Sequence, residues 1–189
     1  METIKLKNGQ ILKIKQDIDS ESPREWDNLA KMYCFHRRYV LGDKHNINPD
    51  NYESFQEMIE ANTEEGDIVR SLYLYDHGMI SISMSSFSCP WDSGMVGFIV
   101  ATKKDIIENF GEYTEETIKR TLKNMEGEVE TYNQYLTGDV YGFELVEVQK
   151  CDLGHEHEEV IESCWGFYGT DFANNGLFEH AGIKQQDVA

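Results

Sequence analysis

The chain has 189 residues, with 17 Lys and Arg against 35 Asp and Glu, a formal net charge of −18. Hydrophobic residues make up 40% and aromatics 12%, too much apolar material for a disordered acidic tail and enough for a packed core. No run of about 18 apolar residues occurs and the first residues alternate Lys with Ile and Leu, which disfavours secretion and membrane spanning. The expectation is one acidic domain over 1–189 in a cytoplasm, with Cys34, Cys89, Cys151 and Cys164 as reduced thiols.

In chain order, two alternating apolar runs flank Asn8-Gly9, a pair that accepts the positive φ of a tight turn, and predict an N-terminal β-hairpin at about 1–16. Pro23 suits the first turn of a helix running through Trp26, Leu29, Ala30 and Tyr33. Residues 41–49 read as a loop, followed by a short helix with Phe55, Met58 and Ile59 on one face and Glu53, Glu57, Glu60 and Glu64 on the other. Residues 68–75 and 79–84, parted by Asp76-His77-Gly78, predict a second hairpin, and 94–101 a further strand.

A helical region begins at about 105 and is best defined over 114–136. There Ile118, Leu122, Met125, Val129, Tyr132 and Leu136 form an amphipathic stripe, with Thr114 as N-cap and Gly138 past the end. Strands follow at 139–148 and 159–167, and the tail from 182 to 189 reads as frayed. The order predicts an α+β fold, a mainly antiparallel sheet built from hairpins and packed against one long and one or two shorter helices.

The charge is uneven. Residues 1–50 carry nine Lys and Arg and eight Asp and Glu, whereas 51–189 carry eight and twenty-seven, net −19. Such a surface repels phosphates, so direct DNA binding is not expected; a basic protein surface is the complementary partner. Solubility alone is the bland explanation of the same charge. Acidic runs fall at Glu64-Glu65-x-Asp67, at Glu126, Glu128 and Glu130, and at Glu156-x-Glu158-Glu159.

No glycine-rich phosphate loop, H-E-x-x-H or paired C-x-x-C is present. Cys151, His155, His157 and Cys164 are zinc-ligand types without the spacing of a tight knuckle, and no metal or cofactor is assigned. Cys89 qualifies as a nucleophile only where His77 or His36 takes its proton; the bland reading makes it a small buried hydrophobe in a loop shaped by Pro90 and Gly94. In 34–39 the basic residues sit beside aromatics, a setting for internal ion pairs or for phosphate contact, the former preferred. Trp165 and Phe167 are expected in the core.

Six segments occur in order: Ser22-Pro-Arg-Glu-Trp26-Asp27-Asn28-Leu29, His36-Arg37-Arg38-Tyr39, Tyr75-Asp-His77-Gly78, Phe87-Ser-Cys-Pro-Trp-Asp-Ser-Gly94, Tyr135-Leu-Thr-Gly-Asp-Val-Tyr141-Gly142 and Cys164-Trp-Gly-Phe-Tyr-Gly169. Through them the chain resembles a family of small acidic phage and mobile-element proteins, the anti-CRISPR inhibitors of type II RNA-guided nucleases. The resemblance spans most of the chain and carries over no catalytic residues. It implies a counter-defence protein that is not an enzyme, whose partner is a type II effector, alone or with guide RNA bound, in a bacterial cytoplasm.

The candidate partner-binding residues are Glu64, Glu65, Asp67, Trp91, Asp92, Glu126, Glu128 and Glu130, carboxylates that stand where phosphates would lie and an aromatic anchor beside them. The alternatives are an antirestriction-type DNA mimic aimed at another DNA-handling enzyme, and a small Cys- or metal-dependent enzyme.

Overall fold

Gly9 takes φ +91° after Asn8 and closes the first turn, so that β1 (Glu2–Lys5) lies antiparallel to β2 (Ile11–Gln16). The structure, a computed structural model, describes residues 2–151, 155–184 and 187. These fall into two compact units: one spans 22–137, and the other joins 1–21 to 138–189. The fold is α+β, with eight strands among the described residues, in two antiparallel four-stranded sheets.

The unit built from the two ends holds the sheet β1-β2-β7-β8, with β7 at Val140–Lys150 and β8 at Glu156–Tyr168. Alternation sorts its side chains. Leu12, Ile14, Phe143, Leu145 and Phe167 are buried with Leu177 of the short helix α4 (Leu177–His180), while Lys13 and Lys15 face the other way and pair with Glu158 and Glu144. The described residues of the tail expected to fray are engaged with the rest of this unit. Ile183 is buried against this cluster and the Lys7 N–H donates to the Asp187 carbonyl at 2.9 Å, whereas 185, 186, 188 and 189 lie outside the described residues. Trp165 is not in the core. It is half-exposed and lies across Gly142, where a Cβ would meet its ring, while Phe167 is buried as expected.

The central unit holds the sheet β3-β6-β4-β5. Its members are β3 (Lys31–Cys34), β4 (Ile68–Asp76), β5 (Ile80–Ser83) and β6 (Ser93–Ala101). The six residues from 96 to 101 are buried without alternation because both faces of β6 are covered. On one face α3 (Glu115–Thr137) brings Met125, Val129 and Tyr132 against Met32, Leu72 and Ile99. On the other, α1 (Phe55–Ala61) brings Met58 against Phe98 and Val100.

Helix ends follow from local chemistry. Ser54 Oγ accepts from Glu57 N and Thr102 Oγ1 from Asp105 N, at 3.1 Å each, capping α1 and α2 (Lys103–Phe110). At α3, Thr114 and Thr117 each accept the other's backbone N–H, which makes Thr114 the expected N-cap.

The helix expected from Pro23 to Tyr33 is a single 3-10 turn, Pro23–Glu25, and Lys31–Cys34 is a strand. Two forces override the helical spacing. The Asn28 amide donates to the carbonyls of Pro23 and Trp26 and closes a turn, while Ala30, Met32 and Cys34 alternate into the core beside β6. Trp26 remains half-exposed.

Candidate partner-binding surfaces

Arg24 organises the central unit from within. Its side chain is 3% exposed; Nε and Nη2 meet the two oxygens of Asp43 at 3.2 and 2.7 Å, Nη1 meets Glu128 Oε2 at 2.9 Å, and Nη2 also donates to the Ala30 carbonyl. Glu128 Oε1 in turn accepts from the backbone of Leu29 and Ala30 at 3.0 and 3.2 Å. Burial alone would lower the Arg24 pKa, and the two carboxylates outweigh it; at Glu128 burial wins and raises the pKa despite Arg24 and the two N–H groups.

Glu128 therefore does not belong to an outward acidic patch. Its side chain is 13% exposed and ties α3 to the strand-entry loop. Glu126 and Glu130, one turn apart, are exposed on the outer face of the same helix, so the i, i+2 divergence of the triplet separates a structural carboxylate from two surface ones.

The run near 64–67 divides in the same way. Asp67 Oδ1 accepts from Lys103 N and Oδ2 from Glu64 N, both at 2.9 Å, so it joins the loop to the start of α2. Glu64 and Glu65, beyond the end of α1, are exposed, as are Glu57 and Glu60 on that helix and Glu53 just before it. Among the described residues, Glu53, Glu57, Glu60, Glu64, Glu65, Glu126 and Glu130 form no ion pair. Glu57 accepts from the Glu53 backbone at 2.6 Å, and Glu60 and Glu130 accept from the amides of Gln56 and Gln134, yet all seven carboxylates are exposed and none has a cationic partner among the described residues.

The 87–94 loop is shaped from inside. Ser93 Oγ donates to the Cys89 carbonyl, the Asp92 carbonyl accepts from Asp76 N at 2.8 Å, and Asp92 Oδ2 lies 3.5 Å from Cys89 Sγ and 3.3 Å from His77 Nδ1. The carboxylate thus stands between thiol and imidazole, so His77 is not the hydrogen-bond partner of Cys89 that a thiol–imidazole pair requires. Asp92 acts within the loop, and Trp91, 91% exposed, stands out at its tip.

The basic stretch 34–39 is partly internal, as preferred from sequence. Arg38 pairs with Asp76, His36 Nε2 is 3.8 Å from the same carboxylate, and Arg38 lies 5.4 Å over the Tyr39 ring. Cys34 is buried, which pushes its thiol up to about 12 and leaves it inert.

The zinc-type residues do not gather. His157 and Cys164 are seven positions apart along extended β8, roughly 24 Å at ~3.4 Å per residue. No group of three metal-ligating side chains converges among the described residues, and Asp152 to Gly154 of that stretch lie outside them.

The acidic element undervalued in the sequence is β8. All eight residues from 156 to 163 are exposed, and they carry Glu156, Glu158, Glu159 and Glu162. The run Glu156-x-Glu158-Glu159 was the available signal; its placement on a sheet edge was not. No family model, curated protein or solved structure matches the chain. No helix among the described residues is long and apolar enough to cross a membrane.

Proposed function

We propose that the chain is a counter-defence protein of a phage or mobile element, acting in the bacterial cytoplasm. It binds a type II RNA-guided nuclease stoichiometrically through exposed carboxylates and impedes DNA binding or cleavage. The observation that carries this reading is the set of seven exposed glutamates without a cationic partner. A type II effector holds its guide–target heteroduplex in a positively charged channel, so a surface of exposed carboxylates without cationic partners competes for the groups that would meet phosphates. An exposed aromatic such as Trp91, once desolvated against a partner, supplies anchoring energy that charge alone does not. The resemblance in the six motif segments points to the same partner class.

The test is a set of variants in one inhibition assay. Glu64→Lys with Glu65→Lys, and Glu126→Lys with Glu130→Lys, are expected to weaken effector binding about tenfold or more per pair and to flatten its salt dependence. Asp67 and Glu128 are left intact because they hold the fold. Cys89→Ser is expected to inhibit as the parent does. Unchanged affinity and salt dependence in both charge-reversed pairs contradicts the acidic-surface mechanism, and loss of inhibition in Cys89→Ser restores the enzyme reading. Inhibition of a different DNA-handling enzyme, with none of the RNA-guided nuclease, selects the antirestriction alternative.

A further inference from the structure

The edges of the two sheets are unequal. β1, β3 and β5 have four residues each, whereas β8 has thirteen. Soluble proteins blunt sheet edges by shortening, charging or covering them, and two of the short ones are also covered. Met32 of β3 donates to Asp43 Oδ2 at 2.6 Å and its carbonyl accepts from Asp43 N at 2.8 Å; Ile82 of β5 donates to Asn133 Oδ1 at 2.9 Å.

β8 has no such cover. Among the described residues, the main chain of 156–163 bonds only to β7, and all eight residues are exposed. β2 pairs with β7 only as far as Val146, so 147–150 and 156–159 run on as a two-stranded ribbon with no third strand among the described residues. Alternate residues of an antiparallel edge turn both N–H and C=O away from the sheet, so β8 presents unpaired donors and acceptors in two short runs on either side of the register shift at Ile161, beside the apolar Val160 and Ile161.

Charge selects the occupant. A second copy would set the glutamates of one β8 against those of the other, and like charges opposite one another destabilise a strand pair. Lys13 and Lys150 neutralise Glu158 and Glu156; among the described residues Glu159 and Glu162 have no cation, and Glu159 accepts from the Gln149 amide. A strand with Lys or Arg at alternate positions satisfies the open main chain and the uncompensated carboxylates together.

We infer that the outer edge of β8, residues 156–163, is a docking strand for an extended cationic segment of a partner protein, which joins the sheet through main-chain hydrogen bonds. This stands apart from the nuclease assignment, because it concerns the mode of capture and is tested without any nuclease.

The experiment titrates the full chain, labelled with 15N, with three eight-residue peptides: alternating Lys and Thr, the same peptide N-methylated at alternate residues, and alternating Glu and Thr. The Lys peptide is expected to shift amides of 156–163 and their β7 partners. N-methylation, which removes main-chain donors and keeps the charge, is expected to weaken binding about tenfold. The Glu peptide is expected not to bind the parent and to bind a Glu159→Lys, Glu162→Lys variant, whose own spectrum reports its folding. Equal binding of the methylated peptide, shifts confined to other elements, a parent chain already dimeric through β8, or no binding at millimolar peptide each overturns the proposal.

Discussion

Replacing Arg24 with Met is expected to cost the central unit about 3–5 kcal/mol, a large share of the ~5–15 kcal/mol that holds a small domain together. The side chain removed is nearly inaccessible and satisfies two carboxylates and the Ala30 carbonyl. Without it, Asp43 and Glu128 face a gap with like charges, which costs far more than an exposed pair returns.

The loss also depends on pH, with a definite sign. Glu128 already titrates above its ordinary 4.5 because it is buried, and Arg24 is the first of the groups holding it down. A carboxyl whose folded pKa exceeds its unfolded value stabilises the fold below the unfolded pKa, and that stability is lost as pH rises through the folded value. Arg24→Met pushes the folded value higher and widens the window. Urea unfolding should therefore show the deficit shrinking as pH falls from 7 towards 5, and Glu128→Gln added to Arg24→Met should recover part of it at pH 7. A deficit independent of pH and untouched by Glu128→Gln contradicts this account of the network.

Gly97→Ala is expected to be comparably damaging for a reason unrelated to charge. Gly97 lies in β6 opposite Cys34 of β3, and an added Cβ would overlap the Tyr33 carbonyl oxygen and come within 3.0 Å of the Cys34 Cα. These are main-chain atoms, so only separation of β3 from β6 relieves the clash, at about 3 kcal/mol or more. Gly94→Ala, in the same strand with nothing within 4 Å of its Cβ, is the control and is expected within ~0.5 kcal/mol of the parent. Equal denaturation midpoints for the two variants would show that β3 does not approach β6 so closely.

Much of the fold was legible because local and global signals agreed. Asn8-Gly9 marked the first hairpin, and the stripe from Ile118 to Leu136 marked α3, although two threonines, Thr117 and Thr121, are also buried on that helix. Pro23 to Tyr33 was misread because Trp26, Leu29, Ala30 and Tyr33 happen to fit a helical period. The period-2 burial of Ala30, Met32 and Cys34 wins only once β6 is alongside.

The candidate surface was half legible. A sequence shows where carboxylates cluster but not which ones turn inward, and nothing local distinguishes Glu128 from Glu126. The distinction comes from Arg24, 104 residues away. Asp92 likewise read as surface charge and is engaged by Cys89 and His77. Sheet order, which makes β8 an edge, arises from pairing between distant segments and leaves no local trace.

The most direct test of the acidic-inhibitor proposal is a titration of the parent chain into a reconstituted type II effector–guide complex, following target-DNA binding and cleavage across a range of salt. The account predicts loss of activity near one equivalent, relieved as salt rises. Full activity at large excess, or inhibition that is substoichiometric and indifferent to salt, would contradict it.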